Sequence, residues 1–115
     1  MKQFQPSRSP CPISRASRIL GDRWVLLILR EAFLGETRFE GFMQRLPISR
    51  AALTSRLGLL VDAGLLRREP PGAKRARYSL TEAGRALLPL YQEMSRWSGK
   101  HLFDGEAPGE WPRSG

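Results

Sequence analysis

The chain has 115 residues, 41% of them apolar, which supports one small domain with a core and leaves little for a second. Its 19 basic against 11 acidic side chains leave a formal charge of +8, and 16 of the cations are Arg, whose planar fork suits phosphate and guanine edges; a nucleic-acid partner is favoured over a membrane surface. The longest apolar run, Trp24 to Leu29, is far short of the roughly 18 residues that span a bilayer, and the lone Cys11 cannot form an internal disulfide.

Residues 1–10, MKQFQPSRSP, mix Pro, Ser and cations without periodicity and read as a flexible arm rather than a charged-then-apolar leader, so a cytoplasmic location is expected. From Pro12, suited to a first helical position, Ile13, Ala16, Ile19 and Leu20 take helical spacing. Gly21 breaks that helix, Asp22 can cap the next, and Trp24 to Leu34 is apolar almost all round until Gly35, which places this second helix in the centre of a core. Thr37 to Phe39 can pair as a minimal strand. Phe39, Phe42, Met43 and Leu46 then recur at helical spacing, and Pro47 forbids continuation.

Ile48 to Gly64 reads as a helix marked at both ends, with Ser49 placed to cap its start and Gly64 its finish. Leu53, Leu57, Leu60 and Val61 share one stripe, while Ala51, Ser55, Gly58 and Asp62 fall opposite. Only Pro47 and Ile48 separate it from the preceding helix, the tight connection of a helix-turn-helix. A small, polar outer face suits a DNA major groove better than the Glu and Lys pairs of a merely solvated helix would. After Gly64, Leu65 to Glu69 and Ala76 to Leu80 form two extended runs around PPGAKR, a hairpin with a basic tip whose prolines keep it out of a central sheet. Thr81 is expected to cap one long helix kinked at Pro89, with a stripe through Ala83, Leu87, Leu90, Tyr91, Met94, Trp97 and Leu102. From Asp104 the tail reads as disordered. The expected organisation is therefore an arm over 1–10, a mainly α domain with a small β-wing over 11–103, and a tail over 104–115.

The charge follows this layout: residues 38–77 carry +6, residues 1–37 carry +3 and residues 78–115 carry −1. Candidate DNA contacts are Ser49, Arg50, Thr54, Ser55 and Arg56 on the recognition helix, the last flanking the buried stripe and equally able to pair with a core carboxylate. Arg38 and the wing's Lys74, Arg75 and Arg77 are candidate phosphate anchors. A single His, His101, without clustered ligands gives no metal site, and neither a Gly-rich phosphate loop nor a nucleophile and base pairing is present; no enzyme and no cofactor are expected. RNA is disfavoured because no aromatic platform is evident around the basic residues. The competing reading is a winged-helix protein-interaction module that binds an acidic partner chain; it would expose apolar residues over 50–56, where this chain has Arg, Ser and Thr.

Three segments, CPISRASRILGDRWVLLILRE, TRFEGFMQRLPISRAALTSRLGLLVDAGLLRRE and ARYSLTEAGRALLPLYQEMSRW, resemble the HxlR-type winged helix-turn-helix transcriptional regulators over roughly residues 11–97. The resemblance rests on the Cys-Pro opening, the Gly-x-x-Trp at Gly21, the Arg-Phe step at Arg38, the Leu-x-x-Arg-Leu of the recognition helix and the Tyr-Ser-Leu-Thr leaving the wing. It implies a homodimeric regulator of double-stranded DNA with recognition helices in major grooves; a two-fold axis relating those helices would make the operator an inverted repeat. It also implies a dimer seam from the terminal helices, here Ile13, Ile19, Leu20, Leu90, Tyr91, Met94 and Trp97. Family members often place more residues between the wing strands than PPGAKR. Some relatives of this type use a Cys at the Cys11 position to sense electrophiles or oxidants. Here Cys11 stands just ahead of a helix with Arg8, Arg15 and Arg18 close in sequence. It is the candidate sensor of a thiol-reactive or oxidative signal, the alternative being a packed, inert thiol.

Overall fold

The computed structural model describes residues 4–70 and 75–105, so Lys74 and the tail from residue 106 lie outside the described residues. Helix ends follow local chemistry. In α1 (Pro12–Leu20) the proline opens the helix, and in α2 (Arg23–Phe33) the Asp22 carboxylate accepts from the Val25 N–H at 3.1 Å. α3 (Phe39–Arg45) stops at Leu46, which turns extended ahead of Pro47 because a proline crowds a helical residue before it. α4 (Arg50–Asp62) starts on Ser49, whose hydroxyl accepts from Ala52 N–H at 3.1 Å. It ends where Gly64 takes φ +81°; the Leu65 N–H then reaches Leu60 C=O at 2.9 Å and the Gly64 N–H reaches Val61 C=O at 3.0 Å, closing the last carbonyls.

The wing is an antiparallel pair, β1 (Leu66–Glu69) and β2 (Arg77–Leu80), with Leu66 opposite Leu80 and Glu69 opposite Arg77. The short stretch ahead of α3 joins its edge: Arg38 bridges Arg77, and Tyr78 N–H donates to Thr37 C=O at 2.8 Å. A third piece of strand thus ties the wing to the start of α3. The two-stranded sheet and surrounding helices make the winged helix expected from the order of breakers.

One long terminal helix was expected, and two are found. Thr81 caps only the single turn of α5 (Glu82–Arg85), its hydroxyl accepting from Gly84 N–H at 3.1 Å. Ala86 and Leu87 form a turn before α6 (Leu88–His101). Pro89 has no N–H to offer a carbonyl four residues back, so it sits in the first turn of a new helix rather than inside an old one.

α2 lies in the centre, with Val25, Ile28 and Leu29 packed against Phe42 of α3, Leu53, Leu57 and Leu60 of α4, and Leu65 and Leu66 entering the wing. Tyr91 of α6 completes this cluster and corrects its expected place in an outer seam. It is only 5% exposed, its hydroxyl donates to Leu26 C=O at 2.7 Å, and its ring centre lies 5.2 Å from that of Phe33. Burial pushes the Tyr91 phenol well above its usual range, with the Arg30 charge opposing. Ile19, Leu20 and Met94 also lean on the core, half-buried, whereas Ile13, Leu90 and Trp97 remain 77%, 41% and 58% exposed. Ahead of α1, the carbonyls of Gln5 and Ser9 accept from the Arg18 and Arg15 side chains. No described helix is long and apolar enough to cross a membrane.

Candidate nucleic-acid interface

The core stripe of α4 fixes which of its residues face outward. With Leu53, Leu57 and Leu60 buried, Arg50, Ala51, Thr54 and Ser55 are exposed together on the first half of the helix. Ser49 spends one lone pair on its cap, and the Thr54 hydroxyl donates to Arg50 C=O at 2.9 Å, so both hydroxyls are held near the helix start. Arg56 is not part of this face. Its Nη2 and Nε lie 3.0 and 3.3 Å from Asp22 Oδ2, half-buried against the start of α2, so it ties two core helices instead of reaching outward. Partial burial would raise the Asp22 carboxyl, but the Arg56 hydrogen bond, the Val25 N–H, the guanidinium charge and the Trp24 N–H outweigh it and hold the group below its usual range.

A similar carboxylate sets the approach to α3. Glu36 accepts from Thr37 and Arg38 N–H at 2.8 and 2.9 Å and from Arg45 Nε at 3.3 Å. Burial works against its charge, yet these donors keep it below the usual carboxylate range. Gly41 allows the arrangement, since a Cβ there would overlap the Glu36 carboxyl. Arg45 also approaches the buried Glu31, at 3.6 Å, and Glu31 pairs with Arg30 at 2.8 Å. The backbone at Arg38 is thereby fixed while its side chain stays exposed.

Between the starts of α3 and α4 and the wing runs an open cleft of about 800 Å³, lined by Arg38, Phe39, Glu40, Arg50, Arg68, Arg75, Ala76, Arg77 and Tyr78. It brings three stretches of sequence together: Arg38 from the edge strand, Arg50 from α4, and Arg75 and Arg77 from the wing. Arg77 Nη1 donates to Thr37 Oγ1 at 3.3 Å, linking wing and edge strand. Five arginines against one carboxylate make the cleft cationic, with a guanidinium geometry suited to phosphate.

Spacing alone missed three features of this cleft. Arg68 alternates with Arg67 along β1 and turns inward, its guanidinium 5.9 Å from the ring centre of its cross-strand partner Tyr78. Glu40 pairs with Arg50 across ten positions, a relation that no helical or strand period predicts. Aromatic rings do lie among the cations, against expectation: Phe39 and Tyr78 both line the cleft, and Phe39 carries the Arg50 guanidinium 5.1 Å from its centre. Elsewhere, Cys11 is exposed at the start of α1. His101 lies against Trp97 with ring centres 5.5 Å apart, and no group of three metal-ligating side chains occurs among the described residues.

Comparison with known proteins agrees with this geometry. Residues 19–106 match the family model described as HxlR-like helix-turn-helix. An uncharacterized HTH-type transcriptional regulator of Mycobacterium tuberculosis is 43% identical over 98 residues, covering 84% of this chain and 62% of that protein; the chain thus spans under two thirds of that relative. The reduced form of the transcriptional regulator YodB from Bacillus subtilis is 31% identical with a TM-score of 0.71, covering 85% of this chain and 100% of that one. The redox regulator HypR in its reduced form is 28% identical with a TM-score of 0.73, over 80% of this chain and 94% of that one. With a recognition helix, a basic wing and this match over most of its length, the chain belongs to the HxlR-like helix-turn-helix family of transcription regulators.

Proposed function

We propose that the protein binds duplex DNA sequence-specifically as a homodimer, with the first half of α4 in the major groove and Arg38, Arg75 and Arg77 on the phosphates either side. The observation that carries this reading is the adjacency of the exposed Arg50, Ala51, Thr54 and Ser55 face to a five-arginine cleft. Lys74 belongs to the same proposal from its place in the sequence. The dimer reading rests on α1, which has no buried residue, and on the exposed Ile13, Leu90 and Trp97. A two-fold seam there presents two recognition helices to one face of the duplex, so the operator is an inverted repeat with half-sites about 34 Å apart or a multiple of that.

Selection from a random duplex pool followed by titration against salt tests this. A single preferred inverted repeat is expected, with affinity falling steeply as salt rises. Binding of all sequences alike, or of an acidic protein in preference to DNA, would refute it.

Cys11 is the proposed signal input. YodB has been seen quinone-bound and HypR is a redox regulator, and Cys11 is exposed at the start of a helix offered to the dimer. A quinone or diamide should change operator affinity in the wild type and leave Cys11→Ser unaffected; equal responses would reduce Cys11 to an inert thiol.

A further inference from the structure

We infer that Glu40 is a specificity-determining residue that acts through Arg50, holding that guanidinium off the DNA backbone and aimed at base edges; this rests on the reading of α4 as the helix that enters the groove. Arg50 opens α4, and its side chain is long enough to turn either toward base edges or toward the phosphates that the rest of the cleft attracts. Phosphate is the stronger lure, because it is fully charged and present at every step of the duplex. An arginine that yields to it contributes affinity without sequence information.

Two restraints oppose that swing. Arg50 Nη2 lies 2.9 Å from Glu40 Oε1, and its guanidinium sits 5.1 Å from the Phe39 ring centre. Both come from adjacent residues at the start of α3, which the tight turn fixes relative to α4. Glu40 is the one carboxylate among six charged side chains lining the cleft, placed where it repels the phosphates that its neighbours bind. Its side chain is 65% exposed and that of Arg50 63%, and so open an ion pair adds little to folding. What it does change is where Arg50 points and how strongly the cleft holds any DNA. Glu40 thus trades affinity for discrimination.

The test compares wild type, Glu40→Gln, Arg50→Ala and the double variant, using the selected duplex and a scrambled one of equal length. Glu40→Gln should keep the melting temperature and bind the scrambled duplex more tightly. Its preference for the selected duplex should fall about tenfold, within the range that one base contact supplies. The salt slope should steepen by about 0.9 for each protomer, as Arg50 takes up a phosphate. In the Arg50→Ala background the same change should leave discrimination where it was. Glu40→Gln with undiminished discrimination overturns the inference, as does a shift in preferred bases that persists without Arg50, since Glu40 would then read a base itself. A DNA-free measurement separates this from the parent reading. Arginine side-chain NMR should show slowed rotation of the Arg50 guanidinium in the wild type and release in Glu40→Gln. Equal mobility in both rejects the Glu40 role while leaving DNA binding intact. A wild type that selects no sequence rejects the DNA reading and this inference together.

Discussion

Around α2, α3 and α4 the inward side chains are sealed: Ile28, Leu29, Phe42, Leu53 and Leu60 have no exposed surface. At the other end of the molecule α1 has no fully buried residue, only Ile19 and Leu20 half-buried against the core, and α6 turns Tyr91 inward while Leu90 and Trp97 stay out. Both regions carry apolar residues at helical spacing, so spacing says that a face exists and not what covers it. The helix-turn-helix is a finished core. The terminal helices present a face that the single chain leaves in solvent, the kind of surface that a second copy covers.

The sharpest way to break this contrast is to cut into each region. Phe42→Ala should cost about 3 to 5 kcal/mol in denaturant unfolding, because the sealed core cannot collapse onto the gap. Ile13→Glu with Trp97→Glu should leave the single-chain fold within about 0.5 kcal/mol, as exposed substitutions do. Sedimentation should nevertheless report monomer, with operator affinity lost. A doubly substituted protein that stays dimeric would place the seam elsewhere.

Within α4 the contrast is between two arginines six positions apart. Arg50→Ala should relax the preference at particular bases by about 1 to 3 kcal/mol with unfolding unchanged. Arg56→Ala should act on stability instead, since its partner Asp22 also caps α2. Exchanged outcomes would reverse their assignment.

Tyr91→Phe sharpens the boundary within α6. It leaves the Leu26 carbonyl without its phenol donor, and should cost about 1 kcal/mol of stability without altering the oligomeric state. A change of assembly instead would return Tyr91 to the seam.

The smallest effect concerns acid. Asp22 and Glu36 have folded-state pKa values below their ordinary 3.8 and 4.5, so the unfolded chain takes up protons first as pH falls. Their contribution is fully present above those ordinary values and is lost as pH drops through the lower folded ones. Arg56→Ala should lessen the Asp22 share, giving a shallower decline in stability below about pH 4. An unaltered decline would mean that the backbone donors alone hold Asp22.

Much of this was legible from residues near one another in sequence. Asp22, Ser49 and Thr81 cap helices by reaching donors three residues on, and Gly64 ends α4 because positive φ comes without strain there. The helix order, the wing and the outer face of α4 follow from such short-range rules. Pro89 shows their limit: the sequence marks a break, but one apolar stripe runs across it where the structure ends α5 and starts α6.

Partners brought together by folding had no such signal. Arg56 finds Asp22, Glu40 finds Arg50, and Tyr91 finds Leu26 across 34, 10 and 65 positions. A period of 3.6 or 2 describes which way a side chain leaves its own element, and carries no information about the element it meets. The sequence by itself therefore determined the elements up to the wing, the caps at Asp22, Ser49, Gly64 and Thr81, and the cationic middle of the chain, but not the split of the last helix into α5 and α6. Only the tertiary structure decided that Arg50 meets Glu40 at the open cleft while Arg56 is committed to Asp22 between two core helices, because that depends on where a carboxylate from another element comes to rest.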